Sequence, residues 1–98
     1  MMNSPEQDTI PAINAVLNNV AKIVSDRGET HGDFREVFEL TAQLWSVYLG
    51  MPVSPQQVCA LNSLQKLSRD QVSDTAHRDN FMDVAGYAAI GVALQSDR

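Results

Sequence analysis

Four carboxylates and two cations are the residues of this chain whose types and spacing could do chemistry. Glu36 and Glu39 stand three residues apart, and Asp79 and Asp83 four apart. In helical segments each pair falls on one face. Carboxylates projecting from two facing helices are how helical bundles hold divalent metals. Magnesium takes hard oxygen ligands, usually a few carboxylates, with waters and substrate phosphates completing its octahedron. The pattern therefore points to Mg²⁺, or Mn²⁺, held by Glu36, Glu39, Asp79 and Asp83. Lys66 and Arg69, three residues apart, would grip the phosphates of a bound ligand. Glu36 and Asp79 are the candidate catalytic groups, with Asp79 orienting a metal-activated water. Phe38 and Tyr87 could flank a nucleobase, although aromatic residues on a helical stripe more often belong to the core.

Each of these residues also has a plainer use. Acidic side chains in a first helical turn are favoured by the helix dipole, and cations by a last turn. Asp79 can be an N-cap, and Glu36 can complete a capping box begun by Asp33. His31 and His77 have no second His or Cys at ligand spacing, which argues against zinc. Cys59 is the only cysteine, so no internal disulfide can form, and its apolar stripe makes it a buried structural thiol. No Gly-rich phosphate loop and no G-x-S-x-G stretch is present.

The elements that must position these groups read as four helices. Thr9 can cap the first, with Pro11 in its opening turn. Ile13, Val16, Leu17, Val20, Ile23 and Val24 form its stripe, and Gly28 suits the left-handed position past its end. Asp33 can cap the second helix, whose stripe is Val37, Leu40, Leu44, Val47 and Tyr48, widened by Phe34, Phe38 and Trp45, and which Gly50 ends. Ser54 followed by Pro55 starts the third, with Val58, Leu61, Leu64 and Leu67 along it. The fourth runs from about Arg78 to Gln95 and is rich in alanine and glycine, which lets helices approach closely. No segment alternates with period two. The expected fold is all-α, a compact four-helix antiparallel bundle over residues 9–98, behind a disordered tail of residues 1–8.

Composition narrows the function classes. Ninety-eight residues make one domain, 44% hydrophobic, with a net charge of −5 and a pI near 4.7. That balance lacks the basic footprint of a general nucleic-acid binder. There is no 18-residue apolar run for a membrane span and no basic-then-apolar leader, so a cytoplasmic protein is expected. So small a helical domain often adds to its core by oligomerising. A homodimer or homotetramer is expected, with Trp45, Tyr48 and the small-residue face of the fourth helix as its contact.

Three segments resemble a known group. Arg27-Gly28 with Gly32-Asp33-Phe34, then Leu64-x-Lys66-Leu67-x-Arg69, then His77-x-Asp79-Asn80-x-x-Asp83-x-x-Gly86-Tyr87 look like small phage and prophage domains of unknown function. These are related to the all-α, MazG-like nucleotide pyrophosphohydrolases. The resemblance covers about residues 16–93. It implies cleavage of (deoxy)nucleoside triphosphates to monophosphate and pyrophosphate with Mg²⁺, through a Glu-x-x-Glu and a later Glu-x-x-Asp. By position Glu36 and Glu39 stand for the first pair and Asp79 and Asp83 for the second. The second pair here is spaced by four and has no Glu, and His31 stands where near relatives commonly carry Tyr. Two functions follow. One is a phage-type protein that binds, and in its enzymatic form hydrolyses, nucleotides. The other is a non-catalytic acidic phage protein that binds and modulates a host protein.

Overall fold

The computed structural model describes residues 5–73 and 78–96, with side chains for 8–73 and 78–95. It holds four helices in chain order: α1 (Pro5–His31), α2 (Phe34–Leu49), α3 (Pro55–Val72) and α4 (Arg78–Ser96). No strand occurs among the described residues, so the fold is all-α.

The start and stop chemistry holds for the middle helices. Asp33 sits in extended backbone and its Oδ1 accepts from the Arg35 N–H at 2.9 Å, capping α2. Ser54 and Gln57 exchange side-chain bonds with each other's backbone at 3.1 and 2.8 Å, a full capping box ahead of Pro55. Gly50 takes φ 70° and its N–H closes α2 onto the Ser46 carbonyl at 2.9 Å.

α1 differs from its expected bounds. It begins at Pro5 rather than Thr9 and continues through Gly28 to His31. The left-handed residue past its end is Gly32, at φ 95°. Gly28 serves another purpose: a Cβ there would stand 3.2 Å from Phe34 Cε2, so its bare backbone makes room for that ring. Of the tail expected over residues 1–8, residues 5–8 are helical and residues 1–4 lie outside the described residues, as does His77.

Packing follows the small residues of α4. Gly91 approaches Cys59 of α3, and Gly86 approaches Val24 of α1 with 3.3 Å to a would-be Cβ. Lys66 meets Asp83 further along α3, and Arg27 meets Asp83 further along α1. In both pairs, moving forward on one helix means moving backward on α4, so α4 runs antiparallel to α3 and to α1. α3 and α4 share the most extensive contact, α1 leans on α4, and α2 leans on α3. Of the small residues expected at an oligomer contact, Gly86 and Gly91 pack inside the chain, whereas Ala88, Ala89 and Ala93 are exposed.

The core is sparse. Phe38, Ala42, Val58, Cys59, Ile90 and Leu94 form one buried cluster, with Val24, Phe34, Trp45, Val53 and Tyr87 packed around it. The expected compactness is not found. The radius of gyration is 16.1 Å, with extents of 59 × 33 × 23 Å, against about 13 Å for a compact domain of roughly 100 residues. α1 alone, at 27 residues, is about 40 Å long.

Candidate functional site

The helices converge on one residue of α4. Asp83 is 15% exposed, and its two oxygens face two cations from two different helices. Lys66 Nζ of α3 lies 2.8 Å from Oδ2, and Arg27 Nη1 of α1 lies 3.5 Å from Oδ1. The Lys66 side chain is itself 18% exposed, whereas that of Arg27 is 52% exposed. A mostly desolvated carboxylate is costly unless paired, and here two positive charges offset it.

Beside this cluster is a cavity of about 230 Å³ among all four helices. Its apolar wall includes Val24, Phe34, Phe38, Tyr87 and Ile90, and its polar lining is Arg27, His31, Thr41, Asn62 and Asp83. Phe38 and Tyr87 both line it, as a base-flanking pair should. Their rings, however, are 6.3 Å apart between centroids and tilted by 40°. That is the spacing of two rings in contact with each other, so they form one wall rather than two jaws. Phe34 extends the wall, edge-on to Phe38 at 6.1 Å.

The remaining candidates lie apart from it. Glu39 pairs with Arg35 at 3.7 Å, one turn away on α2, and is half exposed. Glu36 is exposed, as are Asp79 in the first turn of α4 and Arg69 in the last turn of α3. Among the described residues, no group of three or more His, Cys, Asp or Glu side chains lies close enough to share a metal ion. Asp83 could bind one only by displacing Lys66. Among the described residues of one chain, the carboxylates expected to hold Mg²⁺ or Mn²⁺ are therefore not gathered into a donor set that fits it. Asp83 and Lys66, expected from spacing at a metal and at a phosphate, face each other as an ion pair.

Arg27, His31, Thr41 and Asn62 are the polar lining that spacing did not pick out. Arg27 had a signal, since Arg27-Gly28 opens the first resembling segment. His31 had one as well, standing where the resembling group commonly carries Tyr, whereas Thr41 and Asn62 had none, because their place depends on the packing of α2 and α3. Cys59 is buried against α4, and burial pushes its thiol up from the ordinary 9.0. It is not a nucleophile at neutral pH.

Residues 15–95 match the family described as a domain of unknown function, DUF6378, and the chain belongs to that family. It is similar to the Gene 55 protein of Mycobacterium phage L5, 31% identical over 83 residues, covering 83% of this chain and 53% of the relative. The Gene 55 protein of Mycobacterium phage D29 is 37% identical over 76 residues, covering 76% of this chain and 49% of the relative. The chain thus spans about half the length of these curated relatives. No solved structure matches it. Among the described residues, no helix is long and apolar enough to cross a membrane.

Proposed function

We propose that this member of the DUF6378 family is a phage-type protein that binds a nucleotide or a similar phosphorylated, planar ligand beside Asp83. The carrying observation is that Arg27 and Asp83 line the same cavity as Phe38 and Tyr87. Volume decides what can enter. At about 230 Å³ the space is smaller than the roughly 300–1,000 Å³ of sites that enclose a whole drug-sized ligand. A base-sized ring fits against the aromatic wall while the charged part of the ligand stays at the rim. Asn62 and Thr41 offer hydrogen bonds to ring polar atoms, and a planar ring needs few such contacts to be oriented.

Arg27, rather than Lys66, is the phosphate group's partner in this reading. Its guanidinium keeps free donors beyond the 3.5 Å contact with Asp83 and stands half in solvent. Lys66 is spent on Asp83, which holds α3, α4 and Arg27 in register around the cavity. The reading is one of binding, because the carboxylates that metal-assisted hydrolysis would need stand apart within one chain.

The test is equilibrium binding of nucleoside mono-, di- and triphosphates by calorimetry, with chelator present. Arg27→Gln, at an exposed position, should weaken binding about ten- to a hundredfold, in line with the roughly 1.5–3 kcal/mol of a charge-assisted hydrogen bond. Binding that rises with phosphate count in the native chain but not in the variant supports the assignment. Unchanged affinity in Arg27→Gln would show that the phosphates lie elsewhere.

A further inference from the structure

The polar lining of the cavity separates into a charged end and a neutral one. Arg27, His31 and Asp83 form the first, where the end of α1 meets α4. Thr41 of α2 and Asn62 of α3, both half-buried, form the second. Helix geometry sets the two ends apart. Phe34, packed at Gly28, marks the α1 end of α2, and Thr41 lies seven residues, about 10 Å, further along it. Asn62 stands four residues before Lys66 on α3, so it too is set back from the ion pair with Asp83.

Thr41 is fixed as an acceptor. Its Oγ1 donates its one proton to the Val37 carbonyl at 2.7 Å, which leaves only lone pairs for a ligand. Asn62 makes no hydrogen bond among the described residues, so its amide brings an acceptor and two donors to the cavity. Each of the common bases presents a donor beside an acceptor and can satisfy that amide. Thr41 asks for more. It needs a second hydrogen in the plane of the ring, and an exocyclic amino group supplies one.

We propose that this end of the cavity selects bases bearing an exocyclic amino group (adenine, cytosine or guanine) over uracil, thymine and hypoxanthine, which lack one. The inference rests on the nucleotide reading above and names the ligand class within it. Asn62 Oδ1 accepts one amino hydrogen, its Nδ2 donates to the neighbouring ring nitrogen, and Thr41 Oγ1 accepts the other amino hydrogen. An oxo group in the amino position turns its lone pairs toward those of Thr41 and leaves that acceptor unmatched. The remaining lining does not reverse the preference. The Tyr87 hydroxyl both donates and accepts, so it meets either kind of edge. Asp83 is already engaged by Lys66 and Arg27.

Calorimetry of the whole chain with ATP against ITP, and with CTP against UTP, tests this with chelator present. Each pair shares sugar, phosphates and ring, and differs only in an amino or oxo group and the proton of the ring nitrogen beside it. ATP and CTP should bind about tenfold more tightly than their partners, the scale of one acceptor left unmatched. Thr41→Val keeps the side chain's shape and loses the acceptor, so it should bring both ratios close to one. Thr41→Ser, which keeps the hydroxyl, should retain them. Equal affinities within either pair, or tighter binding of ITP or UTP, overturn the selection while leaving nucleotide binding intact. So does a preference that survives Thr41→Val, since it would be read elsewhere. Failure of all four nucleotides to bind overturns this inference together with the reading it rests on.

Discussion

Lys66 Nζ stands 2.8 Å from Asp83 Oδ2, and this ion pair ties α3 to α4 beside the candidate cavity. Removing one partner leaves the other charge mostly desolvated. For fully buried pairs the cost is about 3–5 kcal/mol. Here both side chains keep 15–18% exposure and Arg27 partly compensates Asp83, so about 1–3 kcal/mol is expected. Urea denaturation of Asp83→Asn and Lys66→Met should show destabilisation for each and a double variant less destabilised than their sum. Additive losses would mean the pair is not coupled.

Asp83 is expected from spacing to be one of four metal ligands. In the structure it faces cations from two other helices, Lys66 of α3 and Arg27 of α1. The four helices, three of the caps and the buried Cys59 were legible because each depends on local chemistry: Ser54-Pro55, Asp33, Gly50 and a helical apolar stripe. Gly28 misled because a glycine past a stripe looks the same whether it frees the backbone or admits a ring such as Phe34. The site was half legible. Spacing identified Asp83, Lys66, Phe38 and Tyr87, but not who faces whom, because facing is decided by helix packing. Glu36 is exposed and Glu39 pairs with Arg35, and among the described residues neither belongs to a group of three or more such side chains.

Ser46 links α2 to the segment ahead of α3. Its Oγ donates to the Ala42 carbonyl at 2.7 Å and accepts from the Val53 N–H at 2.8 Å. Ser46→Ala leaves that half-buried N–H without its acceptor, which costs about 1–3 kcal/mol. Ser46→Thr, which keeps the hydroxyl, should retain more of the stability. Thermal melts of the two variants compare them directly.

Gly86 sets how closely α1 lies on α4, since a Cβ there would stand 3.3 Å from Val24 Cγ2. Gly86→Leu must push α1 away, which costs more than the roughly 1 kcal/mol of helix propensity it gains. The expected net loss is about 1–3 kcal/mol, and nucleotide affinity should fall with it because Val24 and Arg27 line the cavity from α1. Native affinity in a folded Gly86→Leu chain would detach the cavity from the α1–α4 contact.

Cys59 gives the chain a pH dependence at the alkaline end. Burial favours its neutral thiol, so the folded chain holds that proton to higher pH than the unfolded chain does. Above the unfolded value near 9.0, the unfolded state ionises first and stability falls as pH rises toward the folded value. Denaturation midpoints of the native chain and Cys59→Ala, measured from pH 7 to 10, should fall more steeply for the native chain. Labelling by a thiol reagent at pH 7.5 should be slow until denaturant is added.

The most direct measurement is a set of thermal melts at constant ionic strength: chain alone, with Mg²⁺, with nucleoside triphosphate in chelator, and with both. Ligand at a hundredfold excess over Kd stabilises the native state by about 2.7 kcal/mol. For a domain of this size that is a rise on the order of 10 °C. A nucleotide-dependent rise that needs no metal, beside no shift with Mg²⁺ alone, is the predicted result. A rise with Mg²⁺ alone, or no rise with any nucleotide at millimolar concentration, would contradict it.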